Sequence, residues 1–269
     1  MSEANATSPE RRGLFRLLWG IIVKPRATLE YLSERGGRAW WLPALLAVLL
    51  AILPILVAAP ITAQQSREAI AAAQEQMPEQ MRQEMSEEEM EQAMSMTASP
   101  LLTVVFPAVG GVVGLAVGWL VWAGALYLAG MALGGRSTFG QMFRMVVWVW
   151  LPYALRGLLQ TVYILASGQI IANPGLSGLV QETRSISEIV AAPPSMGQMV
   201  LVAFLSRIDL FLVWNFILLV IGVTVTTRLS RRKAALVTLG VWLLLTALSL
   251  LPALVGGFFT RQFAVTGGM

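Results

Sequence analysis

The sequence contains no cysteine and no histidine. Without cysteine there is no disulfide framework, and the usual ligand sets for zinc, copper(II), haem and iron–sulfur centres are missing. An intramembrane Ser–His dyad is excluded with them. Asp209 is the only aspartate, so a two-aspartate intramembrane protease is excluded too. Lys24 and Lys233 are the only lysines, and neither follows a glycine-rich phosphate loop. Charge is scarce overall, at 13% of residues, where soluble domains carry about 25%. Hydrophobic residues make up 56% of the chain, and the mean hydropathy is +0.68. So little charge cannot cover a water-facing surface, so lipid must cover most of the chain. The composition predicts an all-α, polytopic transmembrane bundle that is not an enzyme and carries no cofactor, metal or catalytic residue.

Five apolar stretches supply the bundle. Span 1 runs from about Trp40 to Pro60, with Trp40 and Trp41 at its entrance and Pro54 expected to kink it. Span 2 lies within Leu101–Leu133, longer than the roughly 20 residues a bilayer needs, so it is expected to tilt, kink at Pro107 or project. Span 3 runs from about Met145 to Ala166, span 4 lies within Val200–Val225, and span 5 runs from about Ala234 to Phe258. Gly110, Gly114 and Gly118 repeat every four residues in span 2, a spacing that lets helix backbones approach closely in lipid. Packing against a neighbour within the chain is the plain expectation; a homo-oligomer or protein partner through span 2 is the sharper one.

The remaining segments order the domains. Residues 1–10 are polar and read as a disordered N-terminus; residues 11–38 read as interfacial helices on the cytoplasmic side. Gly13–Ile22 is too short to span and suits either the headgroup region or a seat against the bundle. Gly13–Val23 is broken by Arg16 and lacks a small-residue cleavage site, so insertion without processing is expected. The five-span domain occupies 39–260, with an outer Met/Glu-rich amphipathic helix at 62–99, and a tail covers 261–269. Met77, Met81 and Met85 could offer thioethers to Cu(I), but methionine packs readily as a flexible apolar side chain, and the stripe reads as a packing or membrane-contact face.

Charge sidedness sets the orientation. Thirteen of the nineteen basic residues fall on one side: Arg11, Arg12, Arg16, Lys24, Arg26, Arg35, Arg38, Arg136, Arg144, Arg228, Arg231, Arg232 and Lys233. Four fall on the other, Arg67, Arg82, Arg184 and Arg261. The positive-inside rule then predicts a cytoplasmic N-terminus and an extracytoplasmic C-terminus. The basic face is expected to meet anionic lipid, and no nucleic-acid partner is expected.

Three charges escape sidedness: Arg156, Arg207 and Asp209. Charge at bilayer depth is costly and normally faces a partner or a wet cavity. Counting residues along spans 3 and 4 puts Arg156 and Asp209 near mid-membrane and predicts that they pair, with Arg207 nearer the outer surface. The competing expectation starts span 4 at Ile208, leaving Arg207 and Asp209 at the outer headgroups.

Several segments resemble the YIP-type membrane domain family, five-span integral membrane proteins named for Rab GTPase interaction in eukaryotes. Leu14-Phe15-Arg16 through Lys24-Pro25-Arg26-Ala27-Thr28-Leu29 is similar to the family's pre-span stretch. Gly134-Gly135-Arg136-Ser137-Thr138-Phe139 with Leu151-Pro152 resembles its turn between spans 2 and 3 and its proline-containing third span. Asp209-Leu210-Phe211 with Trp214, Ile221-Gly222 and Ser230-Arg231-Arg232-Lys233-Ala234 resembles its best-marked segment. The resemblance implies a non-catalytic organiser or partner-binding component of the prokaryotic type. The alternative is a small transporter or channel using Arg156 and Asp209.

Overall fold

The computed structural model describes residues 13–37, 39–75, 86, 88, 92, 95–180 and 195–266. Among these the chain is helical, with no strand. Five helices are long and apolar enough to cross a membrane. Most of the Met/Glu-rich stretch beyond Glu75, including Met77, Met81 and Met85, lies outside the described residues.

Two short helices precede the spans, α1 (Leu14–Val23) and α2 (Pro25–Arg35). Pro25 opens α2 at a position where a missing N–H costs nothing. α1 divides its apolar residues between two faces. Leu17 and Ile21 are buried against the bundle, whereas Phe15, Trp19 and Ile22 point outward. The short helix therefore packs on the bundle and still offers an apolar face for the interface. Gly20 allows this close seat, because a Cβ there would run into the Thr28 side chain of α2.

Span 1 is α3 (Trp41–Glu75), which stays helical through Pro54 and Pro60 and runs past the apolar stretch into the polar connector. Span 2 begins with a π-turn at Leu101–Val105 and continues as α4 (Phe106–Ala132). The π-turn lies just before Pro107, whose ring cannot donate and crowds the carbonyl four residues earlier; widening the turn relieves that conflict. Span 3 starts earlier than the apolar pattern suggests, at Phe139. It is made of α5 (Phe139–Val149) and α6 (Leu151–Ser167), broken at Trp150 ahead of Pro152. A capping box explains the early start: the Gln141 N–H donates to Thr138 Oγ1 at 3.3 Å, and the Thr138 N–H donates to Gln141 Oε1 at 2.9 Å.

The stretch expected to hold span 4 divides in two. A short helix, α7 (Met196–Leu205), packs against the last span, and the true span is α8 (Leu210–Thr227). The last span is α9 (Arg231–Thr266), which remains helical past Pro252 and reaches Thr266, within the stretch expected to form a tail.

α8 is the hub of the bundle. It touches α2, α4, α5, α6 and α9. Its buried residues, Asn215, Leu218, Leu219, Gly222, Val223, Thr226 and Thr227, recur at helical spacing. Gly222 lies against the Met145 thioether and leaves no room for a Cβ. Around this hub Met142, Val146, Val147, Trp148, Val149, Leu126 and Ala123 are fully enclosed. The turn at Gly134 (φ 87°) folds back so that the Arg136 N–H donates to the Thr227 carbonyl at 2.9 Å. This satisfies one of the carbonyls left open at the end of α8. The same end carries Arg26, Arg228, Arg231 and Lys233 and is the basic end of the bundle.

Candidate functional site

The three charges singled out in the sequence meet at the other end of α8. Asp209 is the N-cap of that helix, and its Oδ1 accepts from the Leu212 N–H at 2.8 Å. Its second oxygen faces α6, where Arg156 Nη1 lies 3.1 Å away. One carboxylate thus caps a span and neutralises a guanidinium. Both side chains are largely enclosed, with exposures of 24% and 14%. The two expectations for Asp209 are therefore compatible: it lies at the start of the span, and it pairs with Arg156. The depth differs from the sequence estimate. An 18-residue helix at about 1.5 Å per residue is about 27 Å long. Measured along α8 from the basic end, Asp209 lies toward the far boundary of a hydrocarbon core about 30 Å thick, not at its centre.

Arg207 does not join this pair. Its guanidinium donates to the Ser249 hydroxyl and, at 3.3 Å, to the Ser249 carbonyl on α9. Both acceptors are neutral, and no carboxylate among the described residues pairs with it.

A loop seals the neighbourhood. After Gly168 (φ 65°) ends α6, residues 169–180 turn back over the α7–α8 connection. The Leu176 N–H donates to the Leu205 carbonyl at 3.0 Å. Gly175 (φ 62°) approaches the Leu205, Ser206 and Ile208 carbonyls so closely that any Cβ would collide with them. Glycine is required there by both its backbone angle and its contacts.

Arg156 stands between two cavities. One, about 510 Å³, is lined by Pro54, Ile55, Thr62, Pro107, Gln160 and Pro174 together with Arg156. The other, about 460 Å³, holds Trp122, Trp150, Tyr153, Arg207 and Trp242 together with Arg156. Its aromatic wall is ordered: Trp122 and Trp150 meet edge to face at 5.7 Å, and Trp150 and Tyr153 lie 5.5 Å apart. A third cavity, at the basic end, is polar and lined by Arg26, Glu30, Arg136, Thr226 and Arg228. It shares no lining residue with the first two. Between them lies the enclosed layer of Met142, Met145, Val146, Val147, Trp148, Leu218 and Leu219.

The model matching the chain is that of the Yip1 domain, over residues 19–257. The chain belongs to the Yip1 domain family. Comparison with curated proteins and with solved structures gives no match. The Yip1 match encloses α8 and all three charged residues, so the ion pair lies inside the family domain and not in an appendage.

One polar residue of this Yip1 domain escaped the sequence reading. Asn215, buried in α8, donates its Nδ2 to the Val149 carbonyl at 2.6 Å. Pro152 explains the need. The Tyr153 N–H turns to the Trp150 carbonyl at the break, so the Val149 carbonyl loses its helical donor, and Asn215 replaces it. The available signal was a lone amide within an apolar span, opposite a span containing Trp-Leu-Pro. The glycines of span 2 go the other way. A Cβ added at Gly110, Gly114 or Gly118 would meet nothing within 4 Å, so no described residue packs closely against these glycines. α4 instead turns Trp119, Ala123, Leu126 and Gly130 inward and leaves its glycine face free.

Proposed function

We propose that this Yip1-domain protein is a non-catalytic organising component of a bacterial plasma membrane, and that it works by binding a partner helix through its second span. The observation that carries this reading is the free glycine face of α4. Gly110, Val113, Gly114, Val117 and Val121 form one exposed stripe at helical spacing. Glycine in a helix interior is less favourable than alanine by about 1 kcal/mol, so Gly110, Gly114 and the half-buried Gly118, with no close contact among the described residues, point to an external one. Small residues at such spacing allow the close backbone approach on which helix association in lipid depends. Of the five spans, this one also buries the least of itself within the chain. The partner is a second copy or another membrane helix. In this reading the N-terminus is cytoplasmic, the C-terminus is extracytoplasmic, and the basic end meets anionic lipid.

The runner-up is solute passage by way of Arg156 and Asp209. It is weakened by the enclosed layer between the two cavities at Arg156 and the polar cavity at the basic end.

The absence of cysteine makes the test clean. Single cysteines placed along positions 109–121 of the full chain are oxidised in native membranes, and crosslinked products are followed by mass. Crosslinking should peak at 110, 114, 117 and 121. A flat profile, together with solute flux through vesicles containing only this protein, would favour the conduit and defeat the organiser.

A further inference from the structure

The aromatic cavity at the far end of α8 contains more positive than negative charge. Arg156 and Arg207 both line it, and only Asp209 opposes them, already held by Arg156. Among the described residues Arg207 is left with the neutral acceptors of Ser249. One positive charge therefore lacks a counter-charge among the described residues, beside a largely apolar wall. Trp122, Trp150, Trp242, Leu212 and Leu245 make the apolar part of the wall, and Tyr153, Ser206, Thr246 and Ser249 add neutral polar groups but no further charge. Guanidinium groups suit phosphate oxygens in particular, because their planar N–H donors match that geometry. The position matches as well. Asp209 lies about 27 Å along α8 from the basic end, near the depth at which a bilayer about 30 Å thick places its second layer of headgroups.

We propose that this cavity is a binding site for an anionic phospholipid. The phosphate sits at Arg207 and the outer edge of Arg156, and an acyl chain runs along the tryptophan wall. One net negative charge on the lipid matches the one charge left unopposed among the described residues. The site differs from the anionic-lipid contact expected at the basic end, and it does not depend on the span-2 partner.

The tryptophans of the wall supply the readout. The full-length protein is placed in nanodiscs containing either brominated phosphatidylglycerol or brominated phosphatidylcholine, and tryptophan quenching is compared. The anionic lipid is expected to quench more strongly. That excess should fall in Arg207→Gln and hold in Arg207→Lys; both variants leave the basic end unchanged, so the share due to lipid bound there is the same in each and cancels from the difference. If Arg207→Gln does not fold, the combined Trp122→Phe and Trp242→Phe variant serves in its place and should lower the excess, leaving the share reported by Trp150 and by the basic end. Equal quenching by the two lipids overturns the proposal. An excess undiminished by Arg207→Gln or by the double tryptophan substitution does so as well. Loss of the excess on adding millimolar inorganic phosphate would assign the site to a free anion and overturn the lipid.

Discussion

The Asn215 amide donates to the Val149 carbonyl at 2.6 Å, linking the hub helix α8 to the break between α5 and α6. Proline breaks a span only at the cost of an unsatisfied carbonyl, and in lipid no water is available to satisfy it. The break and the amide therefore form one unit. Asn215→Leu keeps the size and removes the donor, leaving the Val149 carbonyl without its bond. Hydrogen bonds between membrane helices are worth about 0.6 kcal/mol on average and up to about 1.7. Full enclosure at 2% exposure puts this one toward the upper end. Thermal unfolding in detergent should show a clear loss for Asn215→Leu and a larger one for Asn215→Asp, which adds a buried charge and also lacks the donor. Unchanged unfolding in both variants would show that the bond contributes nothing.

Asp209 has two separable tasks, and two substitutions divide them. Asn is as good an N-cap as Asp but cannot neutralise Arg156; Ala can do neither. Asp209→Ala should thus be less stable than Asp209→Asn by about 1 kcal/mol, the usual value of a cap. The ion pair is tested by a double-mutant cycle with Arg156→Met. Removing one partner leaves the other enclosed and uncompensated. The combined Arg156→Met, Asp209→Asn variant should be closer to wild type than Arg156→Met alone, with a coupling of about 1–3 kcal/mol. A coupling near zero would mean that solvent screens the pair despite its burial.

Two glycines with similar sequence surroundings should respond in opposite ways to alanine. A Cβ on Gly157 would run into the Leu50 backbone carbonyl, so α6 and α3 must separate to accept it. Overpacking of this kind costs about 1–3 kcal/mol. A Cβ on Gly114 would meet nothing, and alanine is the better helix former. Gly157→Ala should therefore lower the unfolding temperature, whereas Gly114→Ala should leave it unchanged or raise it while weakening crosslinking through span 2. Equal losses in both variants would mean that Gly114 also packs within the chain.

The contrast between these glycines marks what the sequence could reveal. Five spans were legible because each is a long apolar run, a property of composition alone. The Arg156–Asp209 pair was legible because charge in lipid must find a counter-charge and little else was on offer. The helix boundary at Asp209 was harder to read. The apolar run from Val200 to Val225 continues on both sides of Ser206–Asp209, and only the cap separates α7 from α8. Asn215 was missed for a different reason. Its partner is a backbone carbonyl, which no residue pattern marks. The glycine stripe was seen, but its direction was not, since periodicity defines a face without saying what that face meets. Gly130 and Gly135, on the same helix and turn, do pack inward, both against Thr227.

The orientation expected from the unequal charge of the two ends can be read with the same cysteine-free background. Lys233 is exposed at the basic end, at the start of α9. Gln65 is exposed on α3, 24 residues past Trp41 and so about 36 Å along the helix, beyond a core about 30 Å thick. A cysteine at either position should be reachable by a membrane-impermeant maleimide from one side only. The positive-inside rule places Lys233 on the cytoplasmic side. Gln65→Cys should label in intact cells, and Lys233→Cys only after permeabilisation. The reverse pattern would invert the topology and transfer the aromatic cavity to the cytoplasmic leaflet. Labelling of both positions in intact cells would mean that the chain does not hold one orientation, a result that five spans with alternating basic connectors should not allow.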